Sequence, residues 1–118
     1  MKKNDLIEYI RTNYGSAPDY PWIKYPDYAV FRHRGNAKWF AIIMSVSADK
    51  IGTGDAEKVV DIVNVKAAPE MVGSLRLKDG IYPAYHMNKE HWVTIILDAE
   101  FSSEELKSLI DDSYRLTW

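Results

Sequence analysis

Apolar positions near the start of the chain recur at helical spacing. Leu6, Ile7, Ile10 and Tyr14 share one face and predict a helix from Asn4 to Tyr14. Gly15 follows where a left-handed C-terminal cap is usual, since glycine has no Cβ to clash there. Ser16 to Pro26 holds Pro18, Pro21 and Pro26 and reads as an extended loop. Two strands are predicted next, Tyr28 to Arg34 and Lys38 to Val46. In the second, Phe40, Ile42, Met44 and Val46 alternate with Ala41, Ile43 and Ser45. Gly35-Asn36 between them tolerates positive φ and predicts a hairpin turn.

Lys58 to Ala67 is rich in β-branched residues and predicts a third strand. Pro69 suits the first position of a short helix, where a missing N–H costs nothing; Val72, Leu75 and Met71 would face inward, and Lys78-Asp79-Gly80 would end it. Tyr82 to Asn88 leads into another hairpin-like stretch, and Trp92 to Leu97 predicts the last strand. The final helix has the strongest start signal. Ser102 and Glu105 have capping-box spacing, and Phe101 and Leu106 have that of a hydrophobic staple. Leu106, Leu109, Ile110 and Tyr114 form its apolar stripe. The pattern predicts one α+β domain over residues 1–118, an antiparallel sheet with helices at both ends and a short central helix. Trp39-Phe40-Ala41-Ile42-Ile43 and Trp92-Val93-Thr94-Ile95-Ile96 echo each other. Either one hairpin module is duplicated, or Trp-led aliphatic strands look alike by propensity.

Composition narrows the class. The 118 residues are 47% hydrophobic and 27% charged, which excludes a disordered tail, a collagen repeat and a coiled coil. The longest apolar run, Trp39 to Met44, is strand-sized, so no membrane span is expected. The N-terminal residues show no apolar signal-peptide core. With no cysteine there is no disulfide framework, thiol nucleophile or cysteine zinc site, which fits a cytoplasmic location. The net charge of −2 is unevenly spread. Asp98 to Asp112 carries six acids and one base, while Phe31 to Phe40 carries Arg32, Arg34 and Lys38 with no acid.

Candidate chemistry is sparse. His86 and His91 are five apart, a poor spacing for zinc on a helix or a strand, and no metal or other cofactor is expected. His86, Asn88, Lys89 and His91 have no nucleophile motif, phosphate loop or dinucleotide fingerprint beside them, so no catalytic residue is assigned and no enzyme is expected. Two binding readings stand. A basic hairpin tip at Arg32, Arg34 and Lys38 suits phosphate contact, or is a solvated turn kept soluble by charge. A ligand pocket built from Trp22, Tyr85, His86 and His91 would instead make the chain a non-enzymatic module for a small ligand or a protein.

Phe31-Arg32-His33-Arg34-Gly35, Lys38-Trp39-Phe40-Ala41, Asn64-Val65-Lys66, the run Pro83 to Trp92 and Ser113-Tyr114-Arg115-Leu116-Thr117 together resemble the MmcQ/YjbR family of small bacterial proteins. The resemblance covers nearly the whole chain, and Tyr85-His86-Met87-Asn88-Lys89-Glu90-His91-Trp92 is its most specific part. It implies a "double-wing" α+β fold and DNA as the partner. It makes Arg32, Arg34, Lys38 and Lys89 the expected phosphate contacts, and brings no catalytic residue or cofactor with it.

Overall fold

Five strands form one sheet in the order β1-β2-β3-β5-β4, antiparallel throughout. They are β1 (Ala29–Arg32), β2 (Trp39–Ser47), β3 (Val59–Lys66), β4 (Ile81–Pro83) and β5 (Trp92–Ile96). Three helices accompany them: α1 (Lys3–Tyr14), α2 (Pro69–Leu75) and α3 (Ser103–Leu116). The computed structural model describes all 118 residues.

The period of two along each strand divides the apolar residues between two faces. Ala29, Phe31, Ala41, Ile43, Val63, Val65, Val93 and Ile95 join Leu6 and Ile10 of α1, Val72 and Leu75 of α2, and Leu106, Leu109 and Ile110 of α3 in the larger core. All three helices therefore cover one face. On the other, Val30, Ile42, Met44, Val46, Ile51 and Ile62 form a second cluster. Its cover is irregular chain: Trp22 and Tyr28 from the loop before β1, and Tyr85 and Met87 from the β4–β5 turn. Strands buried on both faces explain why β2 and β3 read as nearly continuous apolar runs.

Phe31 pairs with Ala41 and Arg32 with Trp39, so Phe40 is the extra residue of a β-bulge. The bulge turns both Phe40 and Ala41 to the helical face, leaving Trp39 and Ile42 on the other. It also frees the Phe40 carbonyl from the ladder. Ser113 of α3 donates its hydroxyl to that carbonyl at 2.6 Å and accepts the Lys66 N–H at 2.8 Å.

Local details depart from the pattern. Met71 is exposed, because two-turn α2 turns only Val72 and Leu75 to the core. β1 stops at Arg32 rather than Arg34, because His33 turns inward and is buried. The positive φ of the turn falls on Ala37, not on Gly35-Asn36; Asn36 instead uses its side chain to hold the C-terminus. β4 is only three residues long and ends at Pro83, which suits an edge strand that needs no further donor. Ala48–Ile51 forms a short 3-10 helix that the pattern did not indicate. Ser102 caps α3 by accepting the Glu105 N–H at 3.2 Å. The reciprocal half of the capping box is absent, since the Glu105 carboxylate accepts from Lys78 Nζ at 2.6 Å. No helix is long and apolar enough to cross a membrane.

Candidate functional site

Antiparallel order brings the β1–β2 turn (33–38), the end of β3 and the β4–β5 turn (84–91) to one end of the sheet. Arg34, Lys38 and Lys89 lie there, exposed and without ion-pair partners. Lys66 ends β3 on the same side. Asp98, Glu100, Glu104 and Glu105 follow the far end of β5 and sit at the opposite end. Asp111, further along α3, is paired with Arg115 at 2.9 Å.

Arg32, the fourth expected phosphate contact, is not a free cation. Its Nε stands 3.2 Å from an Asp19 carboxylate oxygen, an ion pair without a hydrogen bond, and its guanidinium carbon lies 5.5 Å from the centre of the Trp39 ring. Asp19 is brought there by a two-way backbone pairing with Val30. Arg32 therefore fastens the proline-rich loop to the edge strand. Arg34 is exposed, and its Nη1 lies 3.5 Å from where a Cβ on Gly15 would stand. Gly15 is the left-handed cap of α1 (φ +64°), so this cation lies beside the negative end of that helix.

The first turn is clamped rather than free. His33 Nε2 is 2.7 Å from Thr117 Oγ1. The Thr117 hydroxyl already donates to the Ser113 carbonyl at 2.8 Å, so Nε2 carries the proton and donates. Nδ1 is left buried without a partner. Burial pushes the His33 pKa below its ordinary value, with Lys38 adding to the effect and the nearby Tyr114 backbone opposing it. The imidazole lies 4.1 Å, centre to centre, from Tyr114, which stacks on Tyr14 at 4.5 Å. Asn36 Nδ2 donates to the Thr117 carbonyl at 3.0 Å. Ser113, Tyr114 and Thr117, three of the residues behind the family resemblance, thus serve the fold.

The second turn rests on a buried polar network. Asn64 Nδ2 donates to the Tyr85 carbonyl at 2.9 Å, the Tyr85 N–H donates to Thr94 Oγ1 at 2.9 Å, and the Thr94 hydroxyl donates to Asn64 Oδ1. Asn64 and Thr94 are wholly buried on β3 and β5. Asn88 Oδ1 accepts the Glu90 N–H at 2.8 Å and shapes the tip. Between these fixed points His86 adopts φ +58°. A non-glycine residue there costs about 1 kcal/mol, and such strain persists only where the surroundings impose it.

Beneath His86 opens a cavity of about 260 Å³ lined by Trp22, Tyr25, Tyr28, Met44, Tyr85 and His86. Tyr25 and Tyr28 stack at 4.7 Å with an 11° interplanar angle, Trp22 meets Tyr28 edge-on at 6.1 Å, and Tyr85 meets His86 edge-on at 4.1 Å. Burial raises the Tyr28 pKa, with Tyr85 and Tyr25 contributing, so its phenol stays protonated at neutral pH. A second hollow of about 390 Å³ adjoins it across Tyr25, Tyr28 and Tyr85 and presents Lys24, Asp27, Ser45, Ser47 and Lys50. Trp22, Tyr85 and His86 therefore meet in one cavity. His91 does not line it. Its carbonyl accepts the Ala67 N–H at 2.9 Å, which holds the residue at the start of β5 away from the hollow. Sequence reasoning missed Tyr25, Tyr28 and Met44 as pocket residues. The two tyrosines were visible as aromatics among prolines, but Met44 looked like any strand residue. No group of three or more histidine, cysteine or acidic side chains is placed to hold a metal ion.

The chain matches the YjbR family model over residues 11–116 and belongs to that family. It is 42% identical over 117 residues to the uncharacterized protein YyaQ of Bacillus subtilis (strain 168), covering 99% of this chain and 98% of that one. It is 35% identical over 54 residues to the uncharacterized protein YjbR of Escherichia coli (strain K12), covering 45% and 46% of the two chains. A Pseudomonas syringae protein of known crystal structure shares the fold with a TM-score of 0.97 at 52% identity, covering all of both chains. A Deinococcus radiodurans protein superposes with a TM-score of 0.70 at 26% identity, covering 96% of this chain and 75% of that one.

Proposed function

We propose that this member of the YjbR family is a non-enzymatic, cytoplasmic DNA-binding protein that grips phosphates with the two-turn end of its sheet. The observation that carries the reading is the placement of Arg34, Lys38 and Lys89. All three are exposed and unpaired, and they sit on two turns that leave the same end of one sheet. Side chains on paired turns reach phosphates as wings do, and such contacts position a protein without reading bases. Of the acidic stretch from Asp98 to Asp112, the four acids up to Glu105 stand at the other end, where they do not cancel the attraction; Asp111, paired with Arg115, and Asp112 lie on the half of α3 that returns to the turns, and Glu90 sits beside Lys89. The clamp on His33 and Asn36 keeps the first turn in one conformation, so little entropy is lost when it binds.

Three phosphate contacts are a small footprint. Binding is expected to be weak and nearly indifferent to sequence, with log affinity falling against log salt at a slope of about −2.7. Fluorescence anisotropy of a labelled duplex at low and moderate salt tests this. The triple variant Arg34→Glu, Lys38→Glu, Lys89→Glu should lose binding and keep its fold, because all three side chains are exposed. Absence of wild-type binding at low salt, or equal binding by the variant, overturns the reading.

A further inference from the structure

We propose that the cavity under His86 is a binding site for a small planar aromatic monoanion, with the ring held among Trp22, Tyr28 and Tyr85 and the carboxylate directed toward Lys24 and Lys50. The site lies apart from the proposed DNA contacts Arg34 and Lys38, shares the β4–β5 turn with Lys89, which does not line it, and stands on its own observations.

The first observation is shape and chemistry. An apolar hollow with few polar groups at its rim is what a small ligand requires. Here the walls are aromatic rings already fixed against one another, Tyr25 on Tyr28 and Trp22 edge-on to Tyr28. Rings so placed offer faces and edges to a further flat ring, because aromatic quadrupoles favour offset and edge-on contacts. The second observation is charge. The charged residues that line the adjoining hollow are two lysines and one aspartate, a net of one positive charge, with Asp61 held by the Ser45 hydroxyl at 2.6 Å on the helical face of the sheet, and neither lysine is in an ion pair. That balance matches one negative charge rather than a dianion.

The third observation is His86. It is exposed and held at φ +58°, where glycine would sit without strain. The Asn64–Thr94 network fixes the Tyr85 backbone immediately before it. A residue serving only the turn would be better replaced by glycine. The imidazole instead stands edge-on to Tyr85 at the mouth of the cavity. We assign it the role of closing the site over the ligand.

The probe is 2-naphthoate, with neutral 2-naphthylmethanol as its uncharged counterpart, titrated into the ¹⁵N-labelled protein and followed by amide chemical shifts. A ligand of this size is expected to bind with a dissociation constant on the order of 1 mM. Saturating shifts should centre on Trp22 to Tyr28, on Met44 to Ser47 and on Tyr85-His86. Lys24→Gln with Lys50→Gln should weaken naphthoate about five-fold and leave the alcohol unchanged. His86→Gly is the sharper variant. It should melt at or above the wild-type temperature yet bind both probes more weakly. Arg34→Glu with Lys38→Glu, two of the three changes that test the DNA reading, should leave both titrations unaltered. Non-saturating shifts, shifts centred elsewhere, or wild-type affinity in His86→Gly overturns the proposal. Equal losses for acid and alcohol in the lysine variant overturn its charge assignment.

Discussion

Ser113 shows how one small side chain joins three elements. The bulge at Phe40 frees a carbonyl, and the last residue of β3 presents an N–H; the Ser113 hydroxyl satisfies both, at 2.6 and 2.8 Å, from the last turn of α3. Ser113 is wholly buried, so water cannot replace it without rearrangement. Ser113→Ala is expected to cost about 1–3 kcal/mol, because it leaves a buried acceptor and a partly buried donor unmatched. Urea melts should show a lower midpoint with an unchanged slope. A midpoint equal to the wild type would mean that the two groups find other partners. Arg32 teaches a related lesson. From the sequence it looks like one more cation of a basic tip, but Asp19 and Trp39 hold it in place. Asp19 is thirteen residues earlier in a loop with no periodicity, and no local pattern announces that pairing.

Elements were legible where local chemistry decides them. The apolar stripe of α3 and its Ser102 cap, the left-handed Gly15 and the alternation of β2 all fixed elements within a residue or two of where they stand. Tertiary contacts decided the rest. The bulge, the inward turn of His33 and the short 3-10 helix answer to packing that no window of sequence contains. The half-formed capping box is of the same kind, since Lys78 comes from the segment after α2 and draws away Glu105. This division has a measurable consequence. Ser102→Ala removes a cap and should cost about 1 kcal/mol. Glu105→Gln gives up only a surface ion pair, worth about 0–1 kcal/mol. The Glu105 effect should fade in high salt while that of Ser102 persists. Equal effects with equal salt dependence would restore the full capping box. The candidate site was legible in part for the same reason. Trp22, Tyr85 and His86 share a cavity, whereas His91, five residues after His86, is carried by the start of β5 to another place.

At the scale of the whole molecule, the sheet is covered unequally. Its helical face is sealed by three helices and the larger core, whereas its other face is closed by a loop and a turn. The loop from Ser16 to Tyr28 is fastened at few points: the Asp19–Val30 pairing, the Arg32–Asp19 contact, the Ser16 hydroxyl on the Arg32 carbonyl, and two short turns at Tyr25 and Tyr28. Ile23 is almost wholly exposed, and Tyr20 and Tyr25 are half exposed. β3, by contrast, is bonded along both edges, to β2 and β5, and buried on both faces over Ile62 to Val65. Local opening requires least free energy where few bonds and little apolar burial hold the chain, and approaches the global value in a central strand. Native-state hydrogen exchange should therefore find the Ile62–Val65 amides among the slowest, while Trp22 to Tyr28 exchange orders of magnitude faster. Because that loop supplies three walls of the cavity, saturating 2-naphthoate should slow exchange in the loop and in Tyr85-His86 more than in β3. Uniform protection across both faces of the free protein would show that the loop is welded to the sheet and opens only with global unfolding.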